Sequence, residues 1–159
     1  MDKQSQKERA KRILTNNLYM ILATSQNNKA WSTPVFYAFD QQNFYWYSRK
    51  NTRHSLNILV SPEISASIFG VNNEDEGFGV YIEGKAFEVA KNELKHALDI
   101  YAQKAAKNAA EKEQLTTIED FINDSPLRMY KLIPEKVYVS NKATKWKGKW
   151  IDSKSEIVL

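Results

Sequence analysis

The chain has 159 residues, of which 42% are hydrophobic and 26% charged, with only five glycines and four prolines. That is the length of one domain with enough apolar side chain for a buried core, and it excludes collagen-like, low-complexity and wholly disordered chains. There is no cysteine, so disulfide scaffolds, thiolate metal sites and Cys nucleophiles are excluded; with only two histidines, no protein-built metal site is expected.

The formal net charge of +4 is unevenly placed. From Arg128 to Lys154 there are eight Lys/Arg against Glu135 and Asp152, a local balance of +6, which leaves −2 for the rest. A basic end of this kind is one signature of nucleic-acid binding. The charged N-terminus lacks the apolar run of a signal peptide. No stretch reaches the roughly 18 uninterrupted apolar residues of a membrane span. The expectation is a cytoplasmic protein without membrane contact.

In chain order, residues 1–17 read as a polar N-terminal helix with Ile13, Leu14 and Leu18 as its first apolar stripe. Tyr19 to Thr24 is a short apolar strand that ends at the turn cluster 25–28. Ala30 to Phe39 is a second strand, 40–43 a hairpin turn, and Phe44-Tyr-Trp-Tyr47 a third strand rich in aromatics. Residues 48–51 read as a polar, basic loop. Thr52 is placed to cap a short helix carrying Leu56, Ile58, Leu59 and Val60, stopped by Ser61-Pro62.

Ile64, Ala66 and Ile68 alternate with Ser65 and Ser67, the period of a half-buried strand. Residues 71–77, with Glu74-Asp-Glu76, read as a solvated acidic loop. Gly79 begins a strand that runs through Val89. Asn92 to Gln114 carries a helical stripe of Leu94, Leu98, Tyr101, Ala105 and Ala109. A connector with Ile118, Phe121 and Ile122 completes a helical insertion over 92–125.

Two C-terminal strands, 127–133 and 136–140, are expected to hinge at Pro134. A last strand, 145–150, would put Lys145, Lys147 and Lys149 on one face and Trp146 and Trp150 on the other. Many short, mostly antiparallel strands with hairpin turns predict a mainly β, α+β molecule, a closed or nearly closed barrel with flanking helices. The long helix after Val89 splits that barrel. The whole of 1–159 reads as a single domain, with its C-terminal strands in 127–159.

The most informative stretch for chemistry is Tyr47-Ser-Arg-Lys-Asn-Thr-Arg-His-Ser-Leu-Asn57. Arg49, Lys50, Arg53 and His54 lie beside Ser48 and Thr52 at a strand-to-helix junction. A helix N-terminus offers free backbone N–H groups and the positive end of the helix dipole, which suits a phosphate, and Arg can add a bidentate contact. Spacing leaves open the alternative of a solvated basic loop with an ordinary cap. No catalytic residue stands out. His96 reads as a solvated surface histidine, and Tyr19, Tyr37, Phe39, Phe44 and Trp46 as barrel core.

Trp31-Ser-Thr-Pro-Val-Phe-Tyr37, Phe44-Tyr-Trp-Tyr-Ser48, Thr52-Arg-His-Ser-Leu-Asn-Ile58 with Ser61-Pro-Glu63, and Gly79-Val-Tyr-Ile-Glu-Gly-Lys-Ala86 together resemble the pyridoxamine 5'-phosphate oxidase-like FMN-binding split barrels. Residues 128–138 are similar to that family's late strand pair. The resemblance covers roughly residues 14–138. It implies an antiparallel split β-barrel and a homodimer with FMN at the subunit interface. It places Ser32, Thr33, Pro34 and Val35 along the flavin, Tyr47 and Ser48 by the ribityl phosphate, and Arg53 and His54 as the phosphate-holding pair; His54 stands where the family commonly has Lys, with Lys50 or Arg49 as the compensating cation.

The sequence departs from that pattern at several positions. Where the oxidases carry a flavin-contacting glutamine this chain has Gly79, and where they carry an arginine on the second strand it has Ser32. Their terminal Trp and Arg-x-His substrate element has no counterpart in residues 140–146. The resemblance therefore implies an FMN-dependent oxidoreductase that lacks the oxidase's recognisable substrate-binding element. Relatives of the same barrel that bind the deazaflavin F420 or haem are the alternative. A nucleic-acid-binding barrel is a further one, opposed by the separation of Lys145, Lys147 and Lys149 from Trp146 and Trp150.

Overall fold

Period-two burial builds the sheet around which the molecule is organised. The computed structural model describes residues 3–70, 75, 77–108 and 117–159. The helices are α1 (Lys3–Asn16), α2 (Arg53–Val60) and α3 (Leu94–Ala105), with a short 3-10 helix at Ile118–Phe121. The strands are β1 (Tyr19–Gln26), β2 (Lys29–Phe36), β3 (Ala38–Phe39), β4 (Phe44–Arg49), β5 (Glu63–Phe69), β6 (Gly79–Glu88), β7 (Leu127–Ser140), β8 (Thr144–Trp146), β9 (Lys149–Ile151) and β10 (Lys154–Ile157). One antiparallel sheet runs β2-β1-β5-β6-β7-β4-β3, with β10 added to β7, and it curls into a half-barrel. The split-barrel expectation holds.

Alternation sends each strand's residues to two places. Met20, Leu22, Ile64, Ala66, Ile68, Val80 and Ile82 fill the barrel, closed at one end by Ala10, Ile13 and Leu14 of α1. A second core lies between the sheet's far side and α3, built from Tyr45, Met129, Leu94, Leu98, Tyr101 and Phe121. Because β4 is covered on both faces, Phe44 and Trp46 enter the first core while Tyr45 enters the second. This is why the strand has no polar alternation of its own. Trp46 stacks on Tyr130 at 5.7 Å.

Several sequence expectations are corrected. The strand pair around Pro134 is one continuous β7. Gly84 pairs with Pro134 and Glu83 with Lys136, so Glu135 is an extra residue at a bulge. Proline costs no ladder bond there, which removes the reason to end a strand. Residues 145–150 are not one strand but the β8–β9 hairpin, turned at Lys147 and Gly148, whose φ values are 46° and 78°. Lys145 pairs with Trp150 and Trp146 with Lys149, so each face carries one of each type and the expected separation of Lys from Trp does not occur.

The second strand breaks at Tyr37, where β2 gives way to β3, and β4 extends through Arg49 into the expected loop. α3 is shorter than its apolar stripe suggested; residues 109–116, Ala109 among them, lie outside the described residues. Of the acidic run, Glu74 and Glu76 also lie outside them. Asp75 is buried rather than solvated, held by Arg12 at 2.9 Å.

Gly84 marks a close approach of β6 and β7. A Cβ there would sit 2.2 Å from the Ile133 carbonyl oxygen, backbone that cannot give way without moving β7. Gly84→Ala is expected to destabilise the protein by roughly 1–3 kcal/mol in urea unfolding. An unchanged midpoint would show that β6 and β7 do not meet this closely.

Candidate functional site

β4 delivers Ser48 and Arg49 to the start of α2, where a turn through Thr52 begins the helix. Thr52 occupies the cap position but makes no side-chain cap bond. Its hydroxyl donates to the Arg49 carbonyl at 3.0 Å, a pure acceptor, so its proton is spent there and not on the helix backbone. The first turn of α2 thus presents backbone N–H groups that no side chain of Thr52 satisfies, at the positive end of an eight-residue helix.

The side chains around this terminus divide by burial. Arg53 is exposed and lies over the exposed Trp31 of β2, its guanidinium carbon 4.5 Å from the ring centroid. Lys50 is exposed, and its backbone N–H donates to the Pro126 carbonyl. His54 is buried, with Nε2 2.8 Å from the Ser48 hydroxyl and 3.2 Å from that of Thr52. Burial lowers its pKa from the ordinary 6.5, because an imidazolium would lose its hydration there. Arg53 is an exposed and permanent cation of this cluster, while the histidine is a neutral member of a hydroxyl network.

α2 turns most of its polar residues inward and most of its apolar ones outward. Its buried face carries His54, Ser55, Asn57 and Ile58, whereas Leu56, Leu59 and Val60 are 46%, 65% and 64% exposed. The buried polar groups are satisfied: Asn57 donates to the Thr24 hydroxyl at 2.9 Å, and Ser55 lies 2.9 Å from Thr52 Oγ1. Polar fixation to β1 frees the apolar side of the helix to face outward.

The residues expected along the second strand fall on both sides of it. Ser32 and Pro34 lie on the outer face of the sheet, opposite Ala23 and Ile21 of β1. Thr33 is half-buried and pairs with the buried Leu22, on the inner face. Val35 belongs to the barrel core, so only its backbone is available to a ligand. β2 ends the sheet, and an edge strand presents backbone N–H and C=O groups without a neighbouring strand. Tyr47 turns away from Ser48 and packs on Tyr101 and Phe121 of the second core. Thus Ser48, Thr52, Arg53 and His54 come together, with Trp31 beside them, while the side chains of Val35 and Tyr47 point elsewhere.

The outer face holds a shallow groove of about 600 Å³. Its floor is made of small side chains, Ala23, Ser32, Ser65 and Ser67, brought into register across β2, β1 and β5. Tyr81, Tyr138 and Lys154 rim it, with the Lys154 ammonium 3.7 Å from the Tyr81 ring centroid. Sequence reasoning missed this groove and Trp31. The alternating Ser65 and Ser67 were its only signal, and they read as ordinary solvent-facing positions.

His96 is not simply solvated. Its Nε2 lies 3.0 Å from Asp40 Oδ2, which also accepts from the Tyr45 hydroxyl at 3.0 Å. Asp40 has a lowered pKa despite its desolvation, because these two side chains and the backbone N–H groups of Gln42 and Asn43 all hydrogen-bond to its carboxylate. The cluster ties α3 to the β3–β4 turn. Among the described residues, no group of His, Asp and Glu could hold a metal ion.

The sequence matches the family described as pyridoxamine 5'-phosphate oxidase over residues 6–141. No curated protein matches it. Among solved structures it is similar to a FAD-binding protein from Mesorhizobium loti, at 17% identity and TM-score 0.62, covering 83% of this chain and 91% of that one. It is similar to a heme-binding protein from Mycobacterium smegmatis, at 16% identity and TM-score 0.67, covering 96% of this chain and 58% of that one. General Stress Protein 26 from Bacillus anthracis is similar at 20% identity and TM-score 0.60, over 84% of this chain and 92% of that one. At these identities the likenesses establish the fold.

The burial of His54 has a consequence for stability. A histidine whose folded pKa is lowered binds fewer protons folded than unfolded, so its contribution is intact above pH 6.5 and is lost as pH falls through the folded value. Chemical unfolding between pH 8 and 5 is expected to show stability dropping below pH 6.5, with a smaller drop in His54→Gln. An identical drop in the variant would show that His54 is not the group responsible.

Proposed function

The chain belongs to the pyridoxamine 5'-phosphate oxidase family, and from that premise we propose that it is a flavoprotein that binds FMN through the α2 N-terminus and acts as an oxidoreductase. The observation that carries the reading is the uncapped first turn of α2 with Arg53 held over Trp31. These are unsatisfied N–H donors next to a cation that never loses its charge, which is the donor set a phosphate monoester requires. The residues present therefore fit the group.

In this reading Arg53, the α2 backbone and the Ser48 hydroxyl hold the phosphate, Thr52 helps fix His54 beside them, and Lys50 adds a second exposed cation. His54 acts by position: neutral and fixed at Nε2, it orients the two hydroxyls rather than supplying charge. The open edge of β2 at Ser32, Thr33, Pro34 and Val35 offers backbone groups to the ring, and Tyr47 backs the site from the second core. When bound, the flavin supplies the electron-transfer chemistry itself. The chain's part is to bind it, exclude water from one side and admit a substrate, so no acid–base pair is needed.

A second copy of the chain completes the site. The outer groove is open and lined by small and aromatic side chains, and Tyr19, Ile21 and Phe69 are 52%, 39% and 50% exposed. A homodimer covering this face would bury them. Haem gains less support, because both histidines already engage Nε2, with Ser48 and Thr52 in one case and Asp40 in the other.

The test is the visible spectrum of protein purified without added cofactor, with mass spectrometry of whatever chromophore denaturation releases. A yellow protein releasing FMN is expected, with Arg53→Ala weakening FMN binding about tenfold or more while remaining folded. Unchanged affinity in a folded Arg53→Ala protein, or release of a different chromophore, would overturn the assignment.

A further inference from the structure

Away from the α2 junction, two helical stripes face a common cleft. On α1, Lys7, Lys11 and Thr15 recur every four residues and share one face. On α3 and the turn after it, Ile100, Gln103, Lys104 and Lys107 do the same at three- and four-residue spacing. The stripes line adjoining hollows of about 400 and 160 Å³, which meet at Thr15 and Phe39 because both residues line both hollows. Among the described residues no Asp or Glu lines either one and none of these four lysines is paired with an Asp or Glu; Gln41 and Leu159 complete the lining of the larger hollow. The floor is apolar, made by Leu14, Phe39 and Ile100.

Lys104 supplies a second, independent observation. Its ammonium is largely buried, donates to the Asn17 carbonyl at the end of α1, and lies 3.6 Å from the centroid of the Tyr37 ring. These partners are dipoles and a ring face, none of them an anion. Burial accordingly pushes its pKa down to about 7. A cation withdrawn from water without a counter-charge has more to gain from an arriving anion than an exposed lysine does.

We propose that the cleft between α1 and α3 binds an anionic amphiphile: one carboxylate or phosphate monoester head on a short acyl or aromatic body. The head sits among Lys11, Lys104 and Lys107, and the body lies on Phe39 and Ile100. None of these residues takes part in the flavin site.

Isothermal titration of the full chain with decanoate, decyl phosphate, inorganic phosphate and decanol tests the site. One molecule of decanoate or decyl phosphate is expected to bind per chain, with inorganic phosphate and decanol each weaker by about tenfold or more, since each lacks half of what the cleft recognises. Tighter binding of decanoate supports the site with a fatty-acid type of head; tighter binding of decyl phosphate supports it with a phosphate monoester. The double variant Lys11→Gln, Lys107→Gln changes only exposed side chains and is expected to lose about tenfold in affinity with its thermal melt unchanged. Lys104→Met is expected to lose at least as much. Equal binding of inorganic phosphate and decyl phosphate would overturn the proposal. So would unchanged affinity in the folded variants, or binding to anionic phospholipid vesicles with none to the soluble amphiphiles.

Discussion

The close approach of β6 and β7 at Gly84 governs how this sheet closes, because it lets one 14-residue strand serve two neighbourhoods. Before Pro134, β7 pairs with β6 on one side and β4 on the other. After the bulge at Glu135, β6 remains its neighbour on one side and β10 replaces β4 on the other. The extra residue bends β7 at the changeover, where proline's missing N–H does no harm. Lys85, bridging Glu63 at 3.4 Å and Glu135 at 3.1 Å, decorates the bend from outside; as an exposed network it contributes little. The bend holds β4 between the two cores, and β4 carries the chain into α2.

The α2 junction shows how the chain separates fixing a helix from charging its end. A short helix gains little stability from its own propensity and must be held by packing. Here much of the hold is polar: Asn57 on Thr24, which is buried and costly to leave unmade, and Ser55 by Thr52 and His54 by Ser48 and Thr52, which are partly buried. Keeping His54 neutral avoids a buried positive charge beside the helix end. The full cation is left to Arg53, which stays exposed and is steered by Trp31 instead of by a carboxylate. A carboxylate partner would neutralise it; an indole face positions it and leaves its charge available to a ligand.

The strands were legible where one face is buried and the other is not. Ile64, Ala66 and Ile68 announce β5 because its other face is open, and the run of small and apolar residues after Tyr19 does the same for β1. Pro134 and residues 145–150 were misread for physical reasons. A bulge and a lysine–glycine turn depend on the neighbouring strand and on local φ, and neither leaves a periodic trace in the sequence. Asp75 looked solvated because its partner, Arg12, is far away in the chain. The cluster at residues 48–54 was legible from charge and hydroxyl content, but its division into a buried, neutral histidine and an exposed arginine is a matter of burial. Likewise Ser32, Thr33, Pro34 and Val35 read as one stretch, yet the pleat of β2 places alternate side chains on opposite faces. The outer groove draws on β1, β2, β5, β6, β7 and β10, and no local window contains it.

The claim that phosphate recognition at α2 underlies cofactor binding is tested most directly by comparing the affinities of FMN and riboflavin for the apoprotein, measured by quenching of flavin fluorescence. The two differ only by the phosphate, so FMN is expected to bind about a hundredfold more tightly or better, with the difference shrinking as salt is raised. Equal affinities would contradict the assignment of the α2 N-terminus and Arg53 as the phosphate site.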